Sequence, residues 1–395
     1  MKKDKNRLIE ILIVVFISTF IGMLAGTAAI YTIINNNKEK EFDVSKLEEI
    51  DNVFNKIVND YYDTVDKDKL VEAAVSGMLS VLDEHTSYID KANTTNFNNK
   101  MRGEYYGVGI EALTLDDVGV LVVGVTPGSP AEHSGIKIDD IIISVNEESL
   151  KEKGATYFSE LVAKTKEEMK LVITRGERKL NISVKPEKVV IPSVFTNKYE
   201  VDGKRIGYIK ISVFAANTDT QFATKLKELE ENGIDSLIID VRDNSGGYLS
   251  TTSTILEMFM KKGTVLYNIE SKNSTSERKD ETDEYRDYPV AVLTNGSSAS
   301  ASEVLAACFK DNMNSDVVGN TTYGKGTVQE VINVFEGSTA KITTKKWLTP
   351  KGEWINETGL TPTIRVSLND TYYQNPIYDN DNQLESAINA IKTKK

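Results

Sequence analysis

Two apolar runs, each ending in a turn of small residues, constrain the fold of this chain most strongly. Residues 236–241 are almost continuously apolar and lead into Asp243-Asn244-Ser245-Gly246-Gly247, and residues 290–293 lead into a serine-rich loop that ends at Ser300. Continuous apolar runs are typical of strands that are buried on both faces of a parallel sheet. Residues 195–375 are therefore predicted to form an α/β domain, with helices at 218–232 and 302–312.

The spacing of apolar and polar residues divides the rest of the chain into segments. A length of 395 residues predicts two or three domains. Residues 46–102 show the apolar spacing of helices and end in a turn at 82–88. His85 in that turn is interpreted as a turn or capping residue. The polar and charged residues 269–288 are predicted to form an exposed loop.

The first forty residues carry a targeting signal. A basic start is followed by residues 11–34, which contain no charged side chain. This stretch is long enough to cross a bilayer core of about 30 Å at about 1.5 Å per residue. Since basic flanks stay in the cytoplasm, we predict a single-pass signal anchor in the cell membrane, with the remainder of the chain extracytoplasmic. A cleaved signal peptide is the alternative, because Ala25-Gly26-Thr27-Ala28 loosely matches a cleavage site.

Residues 103–186 change to short strands and turns. Gly107-Val108-Gly109-Ile110 opens a strand, and Thr126-Pro127-Gly128-Ser129-Pro130-Ala131-Glu132 reads as a turn before a short helix. This segment resembles a PDZ domain, in which a partner's C-terminus adds as a strand and backbone N–H groups hold its carboxylate. The resemblance implies a peptide-binding loop formed by Tyr106, Gly107, Val108, Gly109 and Ile110. His133 is interpreted as structural or surface.

The serine-rich loop and a later lysine suggest nucleophilic catalysis. Ser300 follows a buried strand and precedes a helix, so its hydroxyl is expected at the carboxyl end of the sheet near a helix N-terminus, where developing negative charge is favoured. Neither histidine of the chain lies near a serine in a nucleophile context, and lysine is a known substitute base. Lys325 is the candidate, twenty-five residues after Ser300. The N–H groups of Ala301 and Gly246 are the candidate oxyanion donors.

Lys325 must be neutral to accept a proton from Ser300. An ordinary lysine has a pKa of about 10.4, and burial in an apolar site lowers it. Gln329 lies four residues on, which places it on the same face as Lys325 in a strand or a helix. Its amide can orient the lysine without adding charge.

Composition excludes several other classes. The net charge of −12 argues against nucleic acid as a partner, because phosphate binding needs a basic face. Cys308 is the single cysteine, so it forms no intramolecular disulfide, and it is interpreted as a packing residue. The sequence shows no cluster with metal-ligand spacing. We therefore expect no metal and no cofactor.

The motifs together resemble the C-terminal processing peptidases, tail-specific serine proteases with a Ser–Lys dyad. Ser298-Ala299-Ser300-Ala301-Ser302-Glu303 matches the nucleophile motif of that family, Tyr323-Gly324-Lys325-Gly326 the base motif, and Gln329 the third residue. The resemblance covers residues 46–395. It implies an α/β, crotonase-like protease core, an inserted PDZ domain that gates access, and cleavage of proteins near apolar C-termini.

The expected organisation follows from this resemblance. Residues 1–40 would be the cytoplasmic stub, anchor and linker, 41–102 a helical region, 103–186 the PDZ domain and 187–395 the protease core. Three positions depart from the family pattern. Ser245 replaces a usual proline, Thr363 replaces a usual aspartate, and residues 161–166 lack the Arg-Gly that is linked to activation in some members.

Other readings remain open. One alternative is a PDZ-based peptide-binding sensor or scaffold with a latent protease core. An acyl-CoA enzyme on the related core is a weaker one, because it explains neither the PDZ-like segment nor the anchor. A homodimer built from residues 46–102 and 382–391 is also considered.

Overall fold

The computed structural model describes residues 45–335 and 337–394. The chain separates into two units, residues 1–75 and 76–395, and each is described by itself. In the first unit, the described residues form helix α1 (Ser45–Asp60) and the start of α2 (Lys67–Ser80). Among the described residues, none of the helices is both long and apolar enough to cross a bilayer. The predicted anchor at 11–34 lies outside them.

The helical prediction for residues 46–102 is confirmed for the segments that α1, α2 and α3 (Lys91–Arg102) occupy, with a short strand β1 (Ser87–Ile89) between α2 and α3. Asp90 caps α3, because its side chain accepts a hydrogen bond from the N–H of Asn93. The helix ends at Gly103, whose φ of 72° lies in the left-handed region that favours glycine.

The PDZ-like segment forms its own sheet and core. Strands β2 (Glu104–Gly107) and β9 (Glu187–Val190) pair antiparallel at its base. Between them lie β3 (Ile110–Leu115), β4 (Gly119–Val125), helix α4 (Pro130–His133), β5 (Ile141–Val145), β6 (Glu148–Ser149), helix α5 (Gly154–Lys164), β7 (Met169–Arg175) and β8 (Arg178–Val184). The sheet order is β3-β4-β5-β7-β8, and β6 pairs with β5. Its buried core includes Val120, Ile142, Phe158 and Ile173.

The α/β domain is built on a six-stranded sheet. Its strands are β10 (Val194–Val201), β11 (Lys204–Ile211), β12 (Ser236–Asp240), β15 (Val290–Thr294), β16 (Asp316–Gly319) and β19 (Ile364–Arg365), in that order across the sheet. The pairs from β11 to β19 are parallel, as the apolar runs predict. Only β10 with β11 is antiparallel among the described neighbours in this sheet.

Helices cover both faces of this sheet. Ile239 belongs to a cluster with helices α6 (Thr218–Glu231), α7 (Leu249–Glu257) and α8 (Ala301–Met313). Ile238, one residue earlier, belongs to a separate cluster with the C-terminal helix α10 (Asn382–Ile391), which follows a short α9 (Asp370–Gln374). Because successive strand residues point to opposite faces, burial on both sides explains the continuous apolar run at 236–241.

The prediction of an exposed loop at residues 269–288 is partly wrong, because some of these residues belong to a second sheet. Residues 269–288 are not all loop, because β13 (Val265–Ser271) and β14 (Ser274–Lys279) form an antiparallel hairpin. β13 also pairs with β18 (Thr339–Leu348), which pairs further with β1 and β17 (Thr327–Asn333). Most of β14 is exposed on both faces, so its polar sequence resembles that of a loop. Pairing with distant strands, rather than local pattern, defines this hairpin.

Candidate active site

The carboxyl ends of two neighbouring strands bring the predicted turn and loop together. β12 and β15 pair in parallel with Asp240 opposite Leu293. The turn at 243–247 and the loop that ends at Ser300 therefore leave the sheet at the same edge. The hydroxyl of Ser298 donates to the carbonyl oxygen of Val241 at 2.7 Å, which ties the loop to the end of β12.

Asn244, which the sequence did not single out, fastens the turn to the loop. It is fully buried, and its backbone carbonyl oxygen accepts hydrogen bonds from the N–H of Ala299 at 3.1 Å and from the hydroxyl of Ser302 at 2.8 Å. Its side-chain Nδ2 donates to the carbonyl oxygen of Ile211 at 2.9 Å. These contacts fix the backbone on both sides of Ser300.

Gly246 lies directly against the candidate nucleophile. A Cβ atom placed on Gly246 would meet the carbonyl oxygen of Ala299 at 2.8 Å and Cβ of Ser300 at 3.0 Å. Its φ of 102° also favours glycine. Its N–H, however, donates to Oδ1 of Asn244 at 2.8 Å. The predicted oxyanion role of Gly246 therefore requires this hydrogen bond to be exchanged for one to the substrate.

Ser300 occupies a strained position at the start of α8. Its φ of 53° is uncommon for a residue other than glycine. The next residue, Ala301, begins the helix, and its N–H has no hydrogen-bond partner among the described residues. A free N–H at a helix N-terminus can stabilise an oxyanion on a substrate held by Ser300.

Glu303, a second residue that the sequence did not single out, connects the candidate nucleophile Ser300 to the candidate base Lys325. Its carboxyl group is buried and accepts four hydrogen bonds. Oε2 accepts from the N–H of Ser300 at 2.8 Å and from the N–H of Lys325 at 2.9 Å, so these two backbone nitrogens lie no more than about 6 Å apart. Oε1 accepts from the N–H of Gly324 at 2.7 Å and from the hydroxyl of Thr322.

The chemistry of these contacts favours a carboxylate at position 303. Burial raises the pKa of Glu303 above its ordinary value, although the hydrogen bonds from Thr322, Lys325, Gly324 and Ser300 oppose this shift. All four partners donate, which only an ionised carboxylate can satisfy with both oxygens. A serine followed three residues later by glutamate at a helix start is a capping-box signature, so this contact was readable in the sequence.

Lys325 lies just before β17 in a half-buried position. Burial lowers its pKa below the ordinary value, and the positive charge of Lys341 lowers it further. Asp83 and Glu303 oppose this shift because their negative charges favour the protonated form. A lowered pKa increases the fraction of neutral amine at a given pH, which is the form that a general base needs.

Within the described part of the chain, no hydrogen bond joins the hydroxyl of Ser300 to the amine of Lys325. Gln329 likewise makes no hydrogen bond to Lys325. Its Nε2 donates to the hydroxyls of Thr327 at 2.9 Å and Thr343 at 3.0 Å. The two residues of the predicted dyad are thus brought to one site through their backbones, without the direct side-chain contact that proton transfer requires.

A cavity of about 510 Å³ lies beside the base segment. Its lining residues come from the turn at 83–85 and from segments around Lys325: Asp83, Glu84, His85, Tyr323, Gly324, Thr327, Asn356 and Glu357. His85 lies in a turn as predicted, with its N–H donating to Asp83. Burial lowers the pKa of His85, and the positive charge of the nearby Lys325 lowers it further.

The predicted peptide-binding loop lies between two strands. Tyr106 and Gly107 end β2, Ile110 begins β3, and Val108 and Gly109 connect them. The carbonyl oxygens of Val108 and Gly109 accept hydrogen bonds from Ala131 and Thr126. Within the described part of the chain, the N–H groups of Val108 and Gly109 have no partner. Free N–H groups in a tight loop suit the capture of a carboxylate.

The remaining candidates play no visible part in this site. Cys308 is fully buried in α8, and burial raises the pKa of its thiol to about 12. His133 ends the short helix α4. Over residues 45–335 and 337–394, no group of three or more His, Cys, Asp or Glu residues could hold a metal ion.

Comparison with known proteins supplies the family. The model of peptidase family S41 matches residues 205–366, and models of the CtpB N-terminal domain and of a PDZ domain match residues 13–93 and 121–175. The carboxy-terminal processing protease CtpB of Bacillus subtilis is 36% identical over 356 residues, which cover 89% of this chain and 73% of that protein. The carboxy-terminal processing protease CtpA of the same organism is 33% identical over 354 residues, which cover 89% and 75%.

The chain belongs to peptidase family S41. It is a carboxy-terminal processing serine protease with a PDZ domain, which acts on proteins or peptides. A solved structure from Bacteroides fragilis named as an S41 protease has 17% identity and a TM-score of 0.51, and the match covers 84% of this chain and 91% of that one. This likeness supports the fold alone.

Two of the three departures from the family pattern make visible contacts in this S41 protease. The hydroxyl of Thr363 accepts from the N–H of Val317 at 3.0 Å and lies 3.1 Å from Oδ1 of Asp316. It therefore links the start of β16 to the segment before β19. Lys164, in the stretch that lacks Arg-Gly, forms an exposed pair with Glu160 on α5. Such an exposed pair contributes little to stability.

Proposed function

We propose that this S41 protease is anchored in the cell membrane by residues 11–34 and cleaves proteins near their C-termini outside the cytoplasm, with Ser300 as nucleophile and Lys325 as general base. The observation that carries the assignment of the dyad is the carboxylate of Glu303, which accepts hydrogen bonds from the backbones of both residues. No other described carboxylate contacts both segments. The anchor rests on the sequence, since it lies outside the described residues.

The reaction begins when the neutral amine of Lys325 accepts the hydroxyl proton of Ser300, and Oγ attacks the scissile carbonyl carbon. The oxyanion accepts a hydrogen bond from the N–H of Ala301. Gly246 supplies a second donor once its hydrogen bond to Asn244 is exchanged. The protonated Lys325 then donates to the leaving amine, and water hydrolyses the acyl-enzyme.

Substrate selection is assigned to the loop from Tyr106 to Ile110. The free N–H groups of Val108 and Gly109 would hold the terminal carboxylate of the substrate, and the edge of β3 would pair with its last residues. Apolar terminal side chains would pack against the PDZ domain. The same docking would gate access to Ser300. The predicted homodimer remains part of this proposal.

Two observations favour a second candidate, a PDZ-based peptide-binding protein whose protease core is latent. Ser300 and Lys325 are not hydrogen-bonded to each other, and the N–H of Gly246 is occupied by Asn244. An enzyme that waits for a partner would share both features. Catalytic contacts often form only in the substrate complex, so this geometry is compatible with either function.

The test compares the full chain with Ser300→Ala on an unfolded protein that has an apolar C-terminus, with products followed by intact mass. The proposal predicts truncated products with the parent and none with Ser300→Ala. Equal cleavage by both would refute the assignment of the nucleophile. If neither cleaves but both bind the C-terminal peptide, the binding-protein reading is supported instead.

A further inference from the structure

The carboxylate of Asp83 organises the turn that follows α2. Oδ1 accepts hydrogen bonds from the N–H groups of His85 at 2.9 Å and Thr86 at 3.0 Å. Oδ2 accepts from the hydroxyl of Thr86 at 3.2 Å. Burial raises the pKa of Asp83, but the hydrogen bonds from His85, Thr343 and Thr86 outweigh it and the pKa is lowered. Asp83 is therefore ionised at neutral pH.

The same carboxylate reaches the protease core. The hydroxyl of Thr343, on β18, lies 3.1 Å from Oδ1 of Asp83. Nε2 of Gln329, on β17, lies 3.0 Å from that hydroxyl oxygen. The N–H of Thr343 also donates to the hydroxyl of Thr86 at 3.2 Å. Two contacts thus hold the turn against the strand that faces Gln329.

Donor and acceptor rules fix the direction of the hydrogen bonds that link Asp83, Thr343 and Gln329. An ionised carboxylate only accepts, and a hydroxyl carries a single hydrogen. Thr343 must therefore donate to Asp83, and its oxygen is left to accept from Gln329. The amide atom next to Thr343 must be the NH₂ group. Shape alone does not distinguish the two ends of an amide, so such a network decides its orientation.

The consequence is the position of the amide oxygen. The NH₂ group of Gln329 is fully used, because it donates to Thr327 as well as to Thr343. Oε1 of Gln329 has no partner among the described residues. It remains available as an acceptor, which is what the amine or ammonium group of Lys325 requires because both forms donate.

We propose that Asp83 is a positioning residue of the protease: through Thr343 it fixes the amide of Gln329 so that the carbonyl oxygen, and not the NH₂ group, serves Lys325. This inference rests on the proposed function, which makes Lys325 the general base and Gln329 its partner. It adds a residue from the N-terminal turn, 242 positions before Lys325 in the sequence, to the machinery of the dyad.

Charge gives Asp83 a second effect on Lys325. The titratable groups that interact with the lysine are Asp83 and His85 from the turn, Glu303 from α8 and Lys341 from β18. The negative charge of Asp83 favours protonated Lys325 and raises its pKa. Removing that charge lowers the pKa, so the neutral amine appears at lower pH.

Asp83→Ala removes both effects at once. Alanine is used because asparagine would keep an oxygen at Oδ1 for the N–H groups of His85 and Thr86, and Thr343 would still donate to it. Without the carboxylate, the hydroxyl of Thr343 is free to donate to Gln329, and the amide can turn its NH₂ group toward Lys325. We expect kcat to fall about tenfold or more with little change in KM, since positioned base catalysis contributes about 10²–10⁴ in rate. We also expect the acid limb of the pH–rate profile to move to lower pH.

Two variants of Thr343 separate the two effects and also test the inference if Asp83→Ala folds poorly. Thr343→Val removes the hydroxyl but keeps the charge of Asp83, so kcat falls and the acid limb does not move to lower pH. Thr343→Ser keeps the hydroxyl and restores kcat. Asp316→Ala is the matched control, because Asp316 also lies 3.1 Å from a threonine hydroxyl, that of Thr363, but away from this site.

The experiment measures kcat, KM and the pH–rate profile of the full chain on an unfolded reporter with an apolar C-terminus, with thermal unfolding of each variant as the check on folding. The inference is overturned if Asp83→Ala or Thr343→Val folds and keeps the parental kcat, or if Thr343→Ser loses as much kcat as Thr343→Val. Ser300→Ala is run beside them. Activity in Ser300→Ala refutes the proposed function, whereas a parental kcat in Asp83→Ala beside an inactive Ser300→Ala refutes this inference alone.

Discussion

Replacing Glu303 by glutamine tests whether one buried carboxylate holds the nucleophile and the base together. The substitution keeps the shape of the side chain and turns one of its two oxygens into an NH₂ group. On the Oε2 side that group would face the backbone N–H groups of Ser300 and Lys325. On the Oε1 side it would face the N–H of Gly324 and the hydroxyl of Thr322.

The Oε1 side is the less costly position for the NH₂ group of the glutamine, because the hydroxyl of Thr322 can rotate and accept a hydrogen bond from it. The N–H of Gly324 then loses its acceptor, and a buried unsatisfied donor costs about 1–3 kcal/mol. The hydrogen bonds to Ser300 and Lys325 lose their charge assistance, which removes about 1 kcal/mol each. The expected loss in the free energy of unfolding is therefore about 3–5 kcal/mol.

Urea unfolding followed by tryptophan fluorescence measures this loss in the protease core, since both tryptophans of the chain, Trp347 and Trp354, lie there. Glu330→Gln is the control, because Glu330 forms a partly exposed pair with Lys345 and such pairs contribute about 0–1 kcal/mol. Glu303→Gln should also lose about 10²-fold or more in kcat, since a misplaced reacting group costs about that much. A Glu303→Gln variant as stable and as active as the control would refute the reasoning.

Three further predictions follow from the described contacts. Gly246→Ala should lose activity about 10²-fold or more in peptide cleavage assays, because its Cβ would lie 2.8 Å from the carbonyl oxygen of Ala299 and alter the oxyanion region; a parental rate would exclude that close approach. Arg242→Met should lower the free energy of unfolding by about 3–5 kcal/mol in urea titrations, because it leaves the buried Asp240 and Asp381 without their partner; a change below about 1 kcal/mol would contradict it. Cys308 should react with iodoacetamide at pH 8 only after unfolding, because burial raises its pKa to about 12; rapid labelling of the native protein, read by intact mass, would show that the thiol is accessible.

The sequence predicted those parts of the fold that depend on local pattern. The parallel strands β12 and β15 are buried on both faces, and that burial is visible as continuous apolar runs. The hairpin of β13 and β14 was missed because most of β14 is exposed and polar, and its pairing partner β18 follows much later in the chain.

The sequence predicted those parts of the site that lie in short motifs directly after the buried strands. Ser300, Ala301 and Gly246 could be expected at one edge of the sheet because the strands before them are parallel neighbours. The hydrogen bond from Gly246 to Asn244 could not be predicted from the sequence, since it depends on the detailed conformation of a turn. The contact of Asp83 with Thr343 joins residues 260 positions apart, and no local pattern encodes it.

The pH dependence of Ser300 labelling by a fluorophosphonate probe tests the dyad most directly. The labelled residue is mapped by peptide mass, and the rate is compared between the parent and Lys325→Met. Because burial lowers the pKa of Lys325 from its ordinary value of 10.5, the account predicts labelling at Ser300 that rises with pH through an apparent pKa below that value and is lost in Lys325→Met. Labelling at another residue, or the same rate and pH profile in Lys325→Met, would contradict it.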